Sequence, residues 1–222
     1  FEKDGNNIIR AAKKYKIKMP IIFDKNKKII KKLKINFWPT QVLIGNNKVL
    51  YKHVGEGNYK KLEGKIVKAL KIKSNAVFNN EPKCAKFPTI YAGKRKKGKI
   101  VEIRRISRIP EKDNFFPSIS ELKGKLKLGI IYKKGAWKQN NESLTGKGSL
   151  AIKTKGKIIS FVASSINKNP IKINIKLNNK INKNITINDP QLYDIIKLDN
   201  NKTKILRLET KSDIAVYSFA FQ

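Results

Sequence analysis

Cysteine, histidine and acidic side chains are what this 222-residue chain has least of. Its one cysteine, Cys84, cannot close an intramolecular disulfide, form a CxxC redox pair or build a thiolate metal cage. Its one histidine, His53, leaves little room for zinc sites or for Ser-His-Asp catalysis. No cluster of Asp and Asn makes a calcium loop. No cofactor and no metal are therefore expected, and the chain is poorly stocked for catalysis. Long apolar runs are missing too, so nothing here is long enough to span a bilayer, and no stretch reads as a signal peptide. Residue 1 is Phe rather than Met, and the expectation is a start cut out of something longer.

Acidic residues are outnumbered 16 to 51 by Lys and Arg, a formal net charge of +35. That balance invites a nucleic-acid reading. The kind of cation argues against it, because only Arg10, Arg95, Arg104, Arg105, Arg108 and Arg207 are arginine, the residue suited to bidentate phosphate and base contacts. The lysines are spread along the chain and alternate with Ile and Asn, as an AT-rich coding sequence would give. The compact run Lys94-Arg95-Lys96-Lys97 has only Tyr91 as a nearby aromatic. A generic solvated surface is the first reading, a selected polyanion or anionic-membrane surface the second, and specific nucleic-acid binding is not expected.

What the chain does have is two kinds of pattern. Residues 4–16 predict a helix, with Asp4 as N-cap and Ile8, Ile9, Ala12 and Tyr15 at helical spacing. Residues 19–24, MPIIFD, read as a short buried strand, and Ile29, Ile30 and Leu33 carry a short amphipathic helix after it. Two strands over 40–45 and 48–54 flank the turn Gly45-Asn46-Asn47, and Asn58 is the expected cap of a helix over 58–72. Helix, strand, helix, strand, strand, helix is an α/β order. Residues 74–99 lack periodicity and read as a linker or ordered crossing segment. From 100 to 222 nine short β runs separated by Gly, Asn, Asp or Pro argue for an antiparallel β-sandwich or jelly roll.

The stretches FEKDGNNIIRAAKKYKIKMPIIFD, FWPTQVLI and HVGEGNYKKLE resemble the thioredoxin-like region of DipZ-type proteins, relatives of the TlpA and ResA thiol–disulfide proteins. FPTIYAGKRK, GAWKQNNESL, NDPQLYDII and DIAVYSFAFQ are similar to landmarks of that family's segment after the thioredoxin domain and of its C-terminal β-sandwich, itself similar to carbohydrate-binding modules. The resemblance covers nearly the whole chain. It implies a partial, N-terminally truncated thioredoxin-like domain over 1–73 and a jelly-roll sandwich over 100–222. It also implies a CxxC upstream of this chain, extracytoplasmic work, membrane tethering in the intact protein, and a disulfide-bearing protein or membrane electron-transfer domain as partner. The pattern departs at Ile90, where an acidic residue is usual, and at Ala220, where Thr is common.

By that resemblance Trp38, Pro39 and Thr40 form the substrate-facing wall of a redox site, with a cis Trp38–Pro39 peptide and backbone groups offered to a bound peptide; a strand-start Pro beside a packing Trp is the plain alternative. Glu56 either lines the same face or sits in a turn shaped by Gly55 and Gly57. In the sandwich, Trp137, in an expected loop after Gly135-Ala136, is the candidate ligand-binding aromatic for a glycan, with Tyr193 and Tyr217 read mainly as core. Three functions compete: a fragment of a thiol–disulfide oxidoreductase, inactive without its CxxC; a non-enzymatic glycan- or protein-binding module on a degenerate thioredoxin scaffold; and weak polyanion binding by the lysine surface. For the last, anisotropy titrations with duplex DNA should show sequence-independent binding that weakens at least about a thousand-fold between roughly 50 and 200 mM salt, whereas a tight, sequence-selective complex would contradict it.

Overall fold

The computed structural model describes residues 4–76, 88–102, 126–178, 181–198 and 202–221. Cys84 and the part of the first β run beyond Glu102 lie outside the described residues. The chain divides into two compact units, Phe1–Cys84 and Ala85–Gln222.

The first unit follows the α/β order with one exception. Helix α1 (Gly5–Lys14) starts at Asp4, whose side chain accepts from the Asn6 N–H at 3.0 Å. Asp24 does the same for the short α2 (Lys28–Lys32), its two oxygens accepting from Lys28 N at 2.7 Å and Ile30 N at 3.0 Å. At the other end Lys52 Nζ reaches the carbonyls of Leu33 and Lys34 at 2.9 and 2.7 Å, a cation where backbone acceptors are left over. Strands β1 (Thr40–Gly45) and β2 (Lys48–Val54) pair antiparallel, with Gly45 opposite Lys48. Asn46 and Asn47 have φ of +48° and +57°, the left-handed pair that lets a two-residue turn follow the strand twist. Helix α3 (Tyr59–Leu70) completes the unit.

The exception is residues 19–24, which form no strand. A strand needs a ladder partner, and among the described residues β1 pairs only with β2. Met19 and Ile22 are instead 74% and 75% exposed. Only Gly57 is buried among the described residues of this unit. Its apolar side chains form a face rather than a closed core.

The second unit closes a core of its own. Its strands are β3 (Ile90–Tyr91), β4 (Ile100–Glu102), β5 (Ile131–Gln139), β6 (Leu144–Thr154), β7 (Ile158–Ser165), β8 (Ile171–Leu177), β9 (Ile181–Ile187), β10 (Gln191–Lys197) and β11 (Lys204–Phe221). They join one sheet, ordered β10-β7-β11-β6-β5-β4, with β3 and β8 also on β11 and β9 on β8. All ladders are antiparallel except β4–β5, which is parallel, so the expected all-antiparallel jelly roll is modified at that edge. The segment 88–99, read as part of a linker, belongs to this unit: β3 pairs with β11 and Ile90 is 5% exposed, inside the core.

The sheet becomes a sandwich because it bends. Gly135 of β5 lies opposite Gly148 of β6, and Gly146 lies opposite Trp137. All three glycines have φ between +106° and +139°, which L side chains avoid. At Gly146 a Cβ would stand 1.9 Å from the Ala136 carbonyl oxygen, so backbone meets backbone there. In register with Gly148 and Gly146, β11 is irregular between Thr210 and Ile214, and Thr210 Oγ1 donates to the Ser212 carbonyl at 2.7 Å. Before this break β11 pairs with β8, after it with β7. The wings β8–β9 and β7–β10 thus close over one core, to which Ile175, Ile187, Phe161 and Ile195 contribute, all fully buried. Phe161 stacks on Phe219 with ring centroids 5.8 Å apart.

Two glycine substitutions should move stability in opposite directions. Gly146→Ala should cost about 3 kcal/mol or more, or prevent folding of the second unit. Gly64→Ala, inside α3 with nothing within 4 Å of the added Cβ, should stabilise by about 0.5–1 kcal/mol. Urea unfolding followed by circular dichroism and tryptophan emission reads both.

Candidate functional site

The loop before β1 is the most exposed aromatic feature among the described residues of the first unit. Phe37 and Trp38 are 65% and 64% exposed, and the Trp38–Pro39 peptide is cis. Thr40 Oγ1 donates to the Phe37 carbonyl at 2.6 Å, tying the start of β1 back onto the loop. Pro39 itself cannot donate, but its carbonyl accepts from Gly55 N at 2.8 Å, which fixes the loop against the turn after β2. Gly55 and Gly57 have φ of +100° and +93°, so the glycine pair builds that turn. Between them Glu56 accepts from the Tyr59 hydroxyl at 2.6 Å, and Gln41 Nε2 reaches the Gly57 carbonyl at 3.3 Å. Trp38, Pro39 and Thr40 are thus brought beside Glu56 through backbone bonds.

Asn58 does not cap α3 with its side chain. Its φ is +56°, and Nδ2 lies 3.2 Å from the His53 Nε2 instead, so the polar end of the side chain joins the strand rather than the helix. No thiol lies in this loop, and no group of three His, Cys, Asp or Glu able to hold a metal occurs among the described residues. The arrangement exposes an aromatic surface beside the start of β1. It holds no thiol for disulfide exchange.

An open, apolar groove of about 580 Å³ also runs between α1 and the following segment, lined by Ile8, Ile9, Ala12, Ile17, Ile21 and Phe23. Ile8, Ile9 and Ala12 are helix residues at the expected spacing and Ile21 and Phe23 belong to the run expected as a buried strand, while Ile17 falls between the two. Here they line a concave surface.

The sandwich places Trp137 on β5 rather than in a loop, 7% exposed and within the core. Gly146 is its register partner on β6, and the indole Nε1 donates to the Lys134 carbonyl at 3.2 Å. A glycan-stacking role needs an open ring face, which this packing removes. Tyr193 is half-buried against the core, its hydroxyl donating to the Asp189 carbonyl at 2.6 Å, and Tyr217 is half-buried with its hydroxyl 3.4 Å from Ser164 Oγ. Sequence reasoning missed an ion cluster on the outer face of the sheet. Arg207, 4% exposed, holds Glu209 at 2.9 Å, and Lys176 on β8 meets the same carboxylate at 3.1 Å. Its signal was the Leu-Arg-Leu-Glu alternation, which puts 207 and 209 on one face of β11.

Taken together, the second unit is a bent β-sandwich domain following a small α/β unit. Residues 107–221, just over half of the chain, match the family described as thioredoxin-like C-terminal domain, and the chain belongs to that family. No curated protein sequence matches it. Among solved structures, it overlaps a family two carbohydrate esterase from Cellvibrio japonicus at 18% identity and TM-score 0.35, covering 38% of this chain and 28% of that one. A family two carbohydrate esterase from Clostridium thermocellum, solved with cellohexaose, overlaps at 10% identity and TM-score 0.38, covering 41% and 31%. The carbohydrate-binding module CBM36, solved with calcium and xylotriose, overlaps at 14% identity and TM-score 0.28, covering 36% and 79%. The chain therefore spans less than a third of the two esterases, and these partial overlaps carry no function across.

The two tryptophans allow a direct check of this geometry. In a Trp137→Phe variant the remaining Trp38 should emit at long wavelength and be readily quenched by acrylamide. In a Trp38→Phe variant the remaining Trp137 should emit further to the blue and resist quenching.

Proposed function

We propose that this chain is the C-terminal part of a DipZ-type thiol–disulfide oxidoreductase. The observation that carries the reading is membership of the thioredoxin-like C-terminal domain family, together with a preceding unit whose ββα end presents Phe37 and Trp38. In this reading the loop at Trp38, Pro39 and Thr40 holds the substrate polypeptide, and β1 offers an edge that has no second partner strand among the described residues. The apolar groove along α1 and the exposed MPIIFD segment are where the rest of that domain would pack.

The chemistry belongs to a CxxC carried upstream. One thiolate attacks a substrate sulfur and forms a mixed disulfide; the second thiolate displaces the substrate thiol and closes the CxxC disulfide. Two electrons pass to the substrate, whose thiolates take up protons. A membrane electron-transfer domain returns the electrons, and the intact protein works outside the cytoplasm, tethered to the membrane. Cys84 takes no part.

A non-enzymatic module that binds glycan or protein is the competing reading. Burial of Trp137 weakens its glycan form, because none of Trp137, Tyr193 and Tyr217 is classed as exposed. The upstream reading frame decides between the two, since an oxidoreductase requires a CxxC in the preceding strand-to-helix segment. The 222-residue chain alone should show no turnover in a disulfide-reduction assay, and appreciable turnover would sink the role given to Cys84. In the longer protein, Trp38→Ala should lower kcat/KM for a protein disulfide about ten-fold, roughly 1.4 kcal/mol, and leave a small-molecule disulfide unaffected.

A further inference from the structure

Five cations crowd the segment after β3: Lys94, Arg95, Lys96, Lys97 and Lys99, every one exposed. The backbone beneath them is built rather than incidental. Lys94–Lys96 form one turn of 3₁₀-helix, and Lys94 N and Arg95 N donate to the carbonyls of Asn140 and Asn141 at 3.0 and 2.8 Å. Gln139 Nε2 bridges the carbonyls of Ala92 and Gly98, both at 3.0 Å, and closes the base of the knuckle. Gly93 and Gly98 are required by contact: a Cβ at either would lie 2.4 Å from backbone, of Glu142 and of Tyr91 respectively. The acid in reach is Glu142, which meets Arg95 at 3.3 Å with both side chains more than half exposed. Such a pair is screened by water and leaves the knuckle strongly positive.

Geometry separates the kinds of polyanion this knuckle fits. Side chains of a 3₁₀ turn radiate about 120° apart, so Lys94, Arg95 and Lys96 point around the turn rather than along a line. A linear polyanion would meet one or two of them. A layer of headgroups, which surrounds a knob pressed into it, meets them all. Beside them Tyr91, 42% exposed, lies under Lys96 Nζ at 5.8 Å from its ring centre, an amphipathic ring of the kind favoured at a bilayer–water boundary. Because the backbone is already fixed, little ordering is lost on contact.

We propose that the knuckle at 91–99 is a contact site for the headgroup layer of an anionic lipid bilayer. This does not rest on the redox reading: it needs only the second unit's own surface. The test is co-sedimentation of the full chain with phosphatidylcholine vesicles, with and without phosphatidylserine, at about 0.15 M ionic strength. The unsubstituted chain should bind only the anionic vesicles, and added salt should release it. A triple variant, Lys94→Ser, Lys96→Ser and Lys97→Asn, should lose about a hundred-fold in partitioning, each lysine near an anionic leaflet being worth about five-fold. Asn is chosen at 97 because φ there is +54°. An equal-charge control, Lys172→Ser, Lys183→Ser and Lys197→Ser, removes three exposed lysines from strands β8, β9 and β10 and should lose far less. Acrylamide quenching of Trp137 in a Trp38→Phe background confirms folding of each variant. Equal losses in the two triple variants would overturn the proposal, as would failure of the parent to bind anionic vesicles. Knuckle-dependent binding to a soluble sulfated polysaccharide by a chain that ignores vesicles would also overturn the bilayer assignment.

Discussion

A single bend holds the second unit together. Three adjacent strands cross it in register, at Gly135 on β5, Gly146 and Gly148 on β6, and the irregularity after Thr210 on β11. An antiparallel sheet with one apolar face cannot bury that face alone. Bending the sheet lets β11 change partner from β8 to β7, so that the two wings face each other. The core follows from this change of partner: Phe161 and Phe219 stack after the bend, while Ile175 and Leu208 pack before it. Trp137, opposite Gly146 in the β5–β6 ladder, is buried in that same core.

The first unit shows what happens without such closure. Its local devices are all in place: Asp4 and Asp24 cap their helices, Asn46-Asn47 turn the hairpin, and the Gly55–Pro39 bond fixes the loop. Its helices and hairpin nevertheless leave Met19, Ile22, Trp38 and Leu70 more than 60% exposed. Local propensity and capping shape elements, but burial of apolar area supplies most of the free energy that orders them relative to each other. That open apolar face is what the proposed oxidoreductase reading assigns to contact with further polypeptide.

Charge enters in two ways. Across the molecule lysine is spread along the chain and gives it a formal net charge of +35. At two places charge is organised. Glu209 between Arg207 and Lys176 is a partly buried cluster whose members hold one another in place on the outer sheet face, whereas the 94–99 knuckle is an exposed cluster left nearly unbalanced. The first is paired internally, and the second is the exposed surface on which the proposed bilayer contact rests.

Much of the local structure was legible in the residues. Asp4 as a cap, the Asn46-Asn47 turn, α3 and most strands after residue 126 follow from spacing, capping and turn chemistry, which act over a few residues. Pro39 before an apolar run marked a strand start, whereas the grouping of Trp38, Pro39 and Thr40 as one site came from the resemblance to DipZ-type proteins. Three features required the tertiary structure. Residues 19–24 have strand character but no ladder partner among the described residues, and a strand exists only by pairing. Trp137 was placed in a loop because Gly135 precedes it, yet Gly135 lies at a sheet bend, and only the register with β6 distinguishes a bend from a turn. The basic run at 94–97 stood out in the sequence as a compact charge run, but the fold decided that Gln139, Asn140 and Asn141, more than forty residues away, pin its backbone into a knuckle. Composition and short-range pattern determined which elements form; which side chains are covered was decided by pairings distant in sequence, because burial is a property of neighbours that the chain brings together only on folding.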